Sequence, residues 1–199
     1  MKLTLAKVIS LTLNPLCIIV FLPFILVYKS THNFASAYHW LLYTLIFLAL
    51  LTLIVFIGVK QKRFTDMDVS KREQRPLLFL LCSVMGIIYL IGLHIFHAPF
   101  VLFVVTWGIL LGIIAVSIIN RKIKASMHVA TMTAILLTVS FGYGGYFYLL
   151  LLLLPLLAWA RLKTKRHTLS EVIAGGVIGS VLSLSVYGAY IAVKLLLHK

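Results

Sequence analysis

Between Arg161 and Gly179 the chain reads RLKTKRHTLSEVIAGGVIG, a basic stretch that ends one apolar run and opens another. Arg161, His167 and Glu171 fall in it as Arg, five residues, His, three residues, Glu, so His167 and Glu171 lie one helical turn apart on one face. A carboxylate in that position can hold an imidazole, fixing its tautomer and raising its basicity, which is what a histidine needs in order to attack phosphorus. A neighbouring guanidinium can take a phosphoryl group through two parallel hydrogen bonds. The plainer reading of the same residues is a positively charged loop capping two spans. Two further segments carry residues of the same kind. Lys124 to His128, KASMH, sets Ser126 and His128 at the entrance to an apolar run, and KQKRFTDMDVSKREQRP, Lys60 to Pro76, brings Lys71, Arg72 and Arg75.

Together these segments resemble the type 2 phosphatidic acid phosphatase superfamily, the lipid phosphatases related to vanadium haloperoxidases, in a divergent bacterial branch. That family reads K, six residues, R-P; then P-S-G-H; then S-R, five residues, H, three residues, D. Here Ala160, Arg161, His167 and Glu171 keep the third spacing with Ala for Ser and Glu for Asp. The second motif is matched at Ser126 and His128, with Ala125 for Pro and Met127 for Gly. Of the first, Arg75-Pro76 is present, but Asp68 stands where the lysine belongs, so a lysine must come from Lys71 or elsewhere. The resemblance covers residues 66 to about 179.

It implies a phosphohistidine mechanism. His167 attacks the phosphate ester, Glu171 orients it, and His128 protonates the leaving alcohol and then activates water. Arg161, Arg75, Arg72 or Lys71, with Ser126 and the backbone N–H groups at the following helix start, would neutralise the equatorial oxygens. The implied substrate is a lipid phosphate or diphosphate, and the chemistry calls for no metal and no cofactor. Met127 bears on the alternative, because glycine there would let backbone N–H groups come close to a phosphate. That alternative is a non-catalytic protein of the same fold that binds lipid headgroups. Asp66 and Asp68 beside Arg75-Pro76-Leu77 also look like one half of an aromatic prenyltransferase site, but no aspartate follows position 68 to supply the other half.

Composition sets the surroundings in which this chemistry would operate. Of 199 residues 62% are hydrophobic and 11% charged, so the solvent for most of the chain must be lipid, and the expected architecture is one integral membrane domain over 1–199, all-α, a polytopic bundle of six or seven transmembrane helices with its motif-bearing core at about 60–196. The formal charge of +14 sits in short loops between apolar runs rather than on a soluble face. That favours anionic headgroups and a phosphorylated substrate as partners over nucleic acid. Only four acidic residues occur, Asp66, Asp68, Glu73 and Glu171, and three of them share one loop. Cys17 and Cys82 read as small core residues, and oligomeric state has no signature in the sequence.

In chain order, Met1 to Val27 reads as an apolar run that the prolines at 15 and 23 should kink or break, lacking a signal-peptide cleavage site and so retained as an anchor. Tyr28 to Ala37 reads as a polar connector, and Tyr38 to Val59 as a second span with an interfacial aromatic belt. Leu77–Leu93 and Pro99–Ile119 follow as spans joined by His94 to Ala98, whose two histidines read as interfacial polar residues rather than metal ligands. His128 to Phe141 is a short span, Gly142 to Gly145 a tight turn, Tyr146 to Ala160 a span kinked at Pro155, and Val172 to about Leu197 the last span. Gly175, Gly179 and Ser183 form a small-residue stripe of the kind that lets helices approach closely.

Two spans before Arg75, two more before His128 and two more before Arg161 put all three motifs on one side of the membrane. Fifteen of the 18 basic residues fall on that side, against Lys29, Lys194 and Lys199 opposite. Setting aside Lys71, Arg72, Arg75 and Arg161 as phosphate ligands, the excess still places the motif loops on the cytoplasmic face of a bacterial inner membrane. The superfamily resemblance implies the outward-facing alternative.

Overall fold

The computed structural model describes residues 2–197, without the side chains of residues 16, 17, 194 and 197. Cys17, Lys194 and Lys199 thus lie outside the described side chains. Among the described residues 83% are helical and there is no strand, which leaves the backbone groups paired within their own segments, as lipid demands. Five helices are long and apolar enough to cross a membrane, Phe34–Lys60, Arg72–Ile95, Phe100–Asn120, Gly145–Lys163 and Leu169–Val193, with a shorter apolar helix at Met127–Tyr143. They turn Leu45, Ile46, Ile87, Ile91, Ile114, Val177 and Val181 outward, a costly arrangement in water and an ordinary one in hydrocarbon. Contacts group the chain into two compact units, a terminal unit of residues 1–18 with 122–199 and a middle unit of residues 19–121, where composition alone suggests a single domain.

The first apolar run does not make one long helix. It forms α1 (Lys2–Thr12), α2 (Pro15–Ile19) and α3 (Leu22–Thr31), because each proline opens a helix instead of bending one. A proline lacks the N–H that the first turn leaves unpaired anyway: Pro15 is the first residue of α2, after non-helical Asn14, and Pro23 is the second of α3, after Leu22.

In the middle unit, α3 is followed by α4 (Phe34–Lys60), α5 (Arg75–Ile95) and α6 (Phe100–Asn120). The connector expected over residues 28–37 shrinks to His32 and Asn33. His32 takes a left-handed conformation at φ 51° that ends α3, and Asn33 caps α4 by accepting from the Ser36 N–H at 3.0 Å. Val27, Ala37, Trp40, Leu93 and Leu102 form the core. His94 and His97 serve the end of α5. Left-handed His97 lets Ala98 N–H reach the Leu93 carbonyl at 2.9 Å while its own N–H reaches His94 at 3.2 Å, the paired closure that satisfies a helix's last carbonyls.

In the terminal unit, α7 (Met127–Tyr143) is followed by a 3₁₀ segment, Gly145–Leu152, then α8 (Leu153–Lys163) and α9 (Leu169–Leu197). Gly142 and Tyr143 are still helical. The turn itself falls on Gly144 and Gly145, both at positive φ, which explains the glycines there. Pro155 does not kink α8; it sits in the first turn, where no intrahelical N–H is required of it. Val129, Met132, Leu136, Leu157 and Val172 make the core that joins α7, α8 and α9.

The small-residue stripe is a packing device. A Cβ on Gly175 would fall 2.5 Å from the Ser126 carbonyl oxygen, and one on Gly179 would collide with the Ala130 carbonyl. One turn further on, Ser183 Oγ meets Thr138 Oγ1 at 3.1 Å. The backbone of α9 therefore lies directly on α7, which fixes the start of α7 against the start of α9.

Candidate functional site

Why His167 stands beside Glu171 follows from how α8 ends and α9 begins. Helix α8 closes at left-handed Lys165 (φ 54°), with Arg166 N–H bonded to the Arg161 carbonyl at 3.2 Å and Lys165 N–H to the Leu162 carbonyl at 3.0 Å. This closure returns the chain over its own last turn, so the five residues after Arg161 bring His167 back towards Arg161. Two residues on, α9 opens with Thr168 at the N-cap. Thr168 Oγ1 accepts from the Glu171 N–H at 3.4 Å, and the Glu171 carboxylate accepts from the Thr168 N–H at 3.2 Å. That reciprocal pair is a capping box. The T-L-S-E run at 168–171 is the sequence signature of that box, and its glutamate is the one that also serves the histidine.

His167 Nδ1 lies 2.8 Å from Glu171 Oε2, with the His167 side chain 3% exposed and that of Glu171 18%. The carboxylate only accepts, so Nδ1 carries the proton and Nε2 keeps its lone pair. Burial, opposed by the Glu171 hydrogen bond and reinforced by repulsion from the Arg161 guanidinium, pushes the His167 pKa down to about 4. At neutral pH the imidazole is uncharged, held in the tautomer that a nucleophile needs.

Arg161 is buried in the last turn of α8 and donates from Nη1 to Ser10 Oγ on α1 at 3.0 Å. The N-terminal helix thus supports a site residue 151 positions away. Ser126, completely buried, caps α7 in extended geometry, and its N–H donates to the Glu171 carbonyl at 2.9 Å. The second and third motifs are joined by this backbone bond. Ser126 Oγ makes no hydrogen bond among the described residues, an arrangement that costs about 1–3 kcal/mol unless a ligand satisfies it. His128 is half-buried in the first turn of α7, one residue after Met127 opens that helix.

The remaining predicted residues belong to the middle unit. Arg75 is the first residue of α5, not a loop residue, and it is 3% exposed. Its Nε donates to the Val69 carbonyl at 3.4 Å and its Nη1 to Asn120 Oδ1 at 3.2 Å. Val69, fully buried, adopts φ 45°, a conformation that costs a β-branched residue on the order of 1–3 kcal/mol. Arg72 begins a short 3₁₀ turn and offers its carbonyl to Asn120 Nδ2, while Lys71 is exposed. Asn120 was missed in the sequence because one amide at the end of an apolar helix has no pattern to mark it. Asp66 Oδ1 accepts from the Asp68 N–H at 2.9 Å and from Ser70 Oγ at 3.1 Å, folding its own loop. Among the described residues no group of three His, Cys, Asp or Glu side chains converges as a metal site would require.

No protein-family model matches the chain, and no curated protein and no solved structure matches it either.

Proposed function

We propose that the chain is an integral membrane phosphatase acting on a lipid phosphate or diphosphate through a phosphohistidine. The observation that carries this reading is the buried, neutral His167 held at Nδ1 by Glu171 next to the Arg161 guanidinium. His167 Nε2 forms a bond to phosphorus as the ester P–O bond breaks, and His128 gives its proton to the departing alkoxide. Water, deprotonated by His128, then attacks phosphorus, and the P–N bond breaks to release inorganic phosphate. Arg161 and the Ser126 hydroxyl stabilise the developing charge, and Arg75, Arg72 and Lys71 are the further phosphate ligands that the resemblance implies. Six or seven crossings, with the Arg161–Glu171 loop cytoplasmic, belong to the same reading.

The test is phosphate release from lipid mono- and diphosphates by purified protein in the presence of chelator. Activity should survive chelation, fall to vanadate and vanish in His167→Ala, with His128→Ala next in severity. Wild-type activity in His167→Ala would exclude it as nucleophile. A headgroup-binding protein is the second reading, favoured by Met127, whose side chain stands at the first residue of α7 where a phosphate would have to approach backbone N–H groups. Tight lipid-phosphate binding without release in the same preparation would decide for it. Magnesium dependence together with loss in Asp66→Asn and Asp68→Asn would decide for prenyl transfer.

A further inference from the structure

The segment leading into α7 holds a cation that no motif accounts for. Ala125 N–H donates to the Ile123 carbonyl at 2.9 Å, closing a three-residue turn with Lys124 at its centre. Two residues later the Ser126 N–H is bonded to the Glu171 carbonyl, so the backbone of Lys124 is anchored within about 8 Å of that clamp. Lys124 itself is half-buried. In the terminal unit the one carboxylate side chain is Glu171, and it already accepts from His167 Nδ1 and the Thr168 N–H. With His167 neutral, Lys124 and Arg161 set two positive charges against the single carboxylate of Glu171, Arg161 buried in the last turn of α8 and Lys124 half-buried before α7. Beside them lie the fully buried Ser126 hydroxyl, bonded to none of the described residues, and the N-terminus of a 17-residue helix. Excess positive charge, an unmatched hydroxyl and a helix N-terminus together complement a tetrahedral dianion.

We propose that Lys124 is a phosphate-binding residue of this site, gripping with Arg161 a dianionic phosphoryl group whose oxygens reach Ser126 and the start of α7. The inference rests on the phosphoryl-transfer reading above and narrows its ligand to lipids with a terminal phosphate, since a phosphodiester brings only one negative charge. Lys124 also repels a proton from His167, in the same direction as Arg161.

The experiment is calorimetric titration of the full-length detergent-solubilised protein with inorganic phosphate and, separately, with a short-chain phosphatidate. Wild type is compared with Lys124→Gln, Lys124→Met, Lys124→Arg and the exposed-loop control Lys165→Gln. Both neutral variants should bind phosphate at least about tenfold more weakly, a loss of about 1.4 kcal/mol, with Lys124→Arg near wild type and Lys165→Gln unchanged. Two substitutions of different polarity guard against one failing to fold. The His167 ring resonance in the neutral variants should titrate at higher pH than in wild type, which places the lysine's charge beside the imidazole; an unchanged titration would overturn that placement. Wild-type affinity in a folded Lys124→Gln or Lys124→Met would overturn the role of Lys124 and leave the phosphoryl reading standing. Failure of the wild type to bind either ligand would overturn both. Phosphatidate should bind more tightly than inorganic phosphate, and equal affinities would overturn the lipid part of the assignment.

Discussion

Glu171 performs two tasks with one carboxylate, and they can be separated. As a helix cap it needs only an acceptor at the third helical position, which glutamine supplies as well as glutamate. In the reaction proposed above it must, as the partner of His167, also stabilise the imidazolium formed on attack, which an amide cannot do. Glu171→Gln should therefore keep the helix content measured by circular dichroism while losing phosphate release by a factor on the order of 10²–10⁴. Glu171→Asp keeps the charge on a shorter stem and should fall between glutamine and wild type. A Gln variant with full rate would reduce the pairing to architecture. The depressed basicity of His167 makes a second prediction. Its folded-state pKa of about 4 lies below the ordinary 6.5, so the unfolded chain takes up a proton first as pH falls. The stability conferred by keeping the imidazole neutral is present in full above about pH 6.5 and is lost as pH drops towards 4, by at most about 3 kcal/mol. A bound phosphate dianion reverses the local field, so the His167 ring resonance should titrate near pH 4 in the free protein and distinctly higher when saturated with inorganic phosphate. At this scale the pairing of His167 with Glu171 was legible, because a four-residue spacing on a helix permits few other geometries. The Arg161–Ser10 bond was not legible, since no local pattern links residues 151 apart.

The α7–α9 contact makes the site rigid, and its cost to alter can be stated. Alanine is worth about 1 kcal/mol more than glycine in a helix interior. At Gly179, however, the added methyl meets the Ala130 carbonyl, a backbone atom that moves only if the helices part. Overpacking of that kind costs about 1–3 kcal/mol, so the clash outweighs the propensity gain. Gly179→Ala should lower the thermal midpoint in detergent by several degrees, whereas Gly176→Ala, with nothing within 4 Å of its new Cβ, should raise it slightly. The support given by α1 makes a milder prediction. Ser10→Ala removes one partner of Arg161 without changing a proposed site residue, and a positioning role predicts a raised KM for phosphate monoester with the fold unchanged. An unaltered KM would make the bond incidental. The long helices from Phe34 onward were readable from apolar run length, whereas the three short helices of the first run and the helix ends were not. His32, Lys62, His97 and Lys165 all take the left-handed conformation usually left to glycine, and without a glycine to mark them the closures at 32 and 165 could not be seen. The 3₁₀ run Gly145–Leu152 was equally invisible, since its apolar residues suit either helix.

For the molecule as a whole, the sequence conveys the solvent better than the topology. A chain that is 62% hydrophobic with 18 basic residues confined to short segments leaves little doubt about lipid, and the outward apolar faces agree. The number of crossings turns on residues 1–27, where prolines that open helices replace one long run by three short ones, a choice the backbone makes from local sterics and not from hydropathy. The side on which the Arg161–Glu171 loop emerges depends less on that first run than on the charges flanking the later ones. Lys163, Lys165 and Arg166 are exposed at this loop, three positive charges of the kind that the bias keeping basic loops inside acts on. Lys163 and Asn33 are both exposed and make a discriminating pair for labelling. In a Cys17→Ala, Cys82→Ala background, Asn33→Cys gives up the cap on α4 at a cost of about 1 kcal/mol, which leaves a folded protein to label. A membrane-impermeant maleimide applied to intact cells should modify position 33 and spare position 163 until the cells are opened. The reverse pattern would set the phosphate site on the outer face, and the basic residues of the loop would then have to be explained by phosphate binding alone.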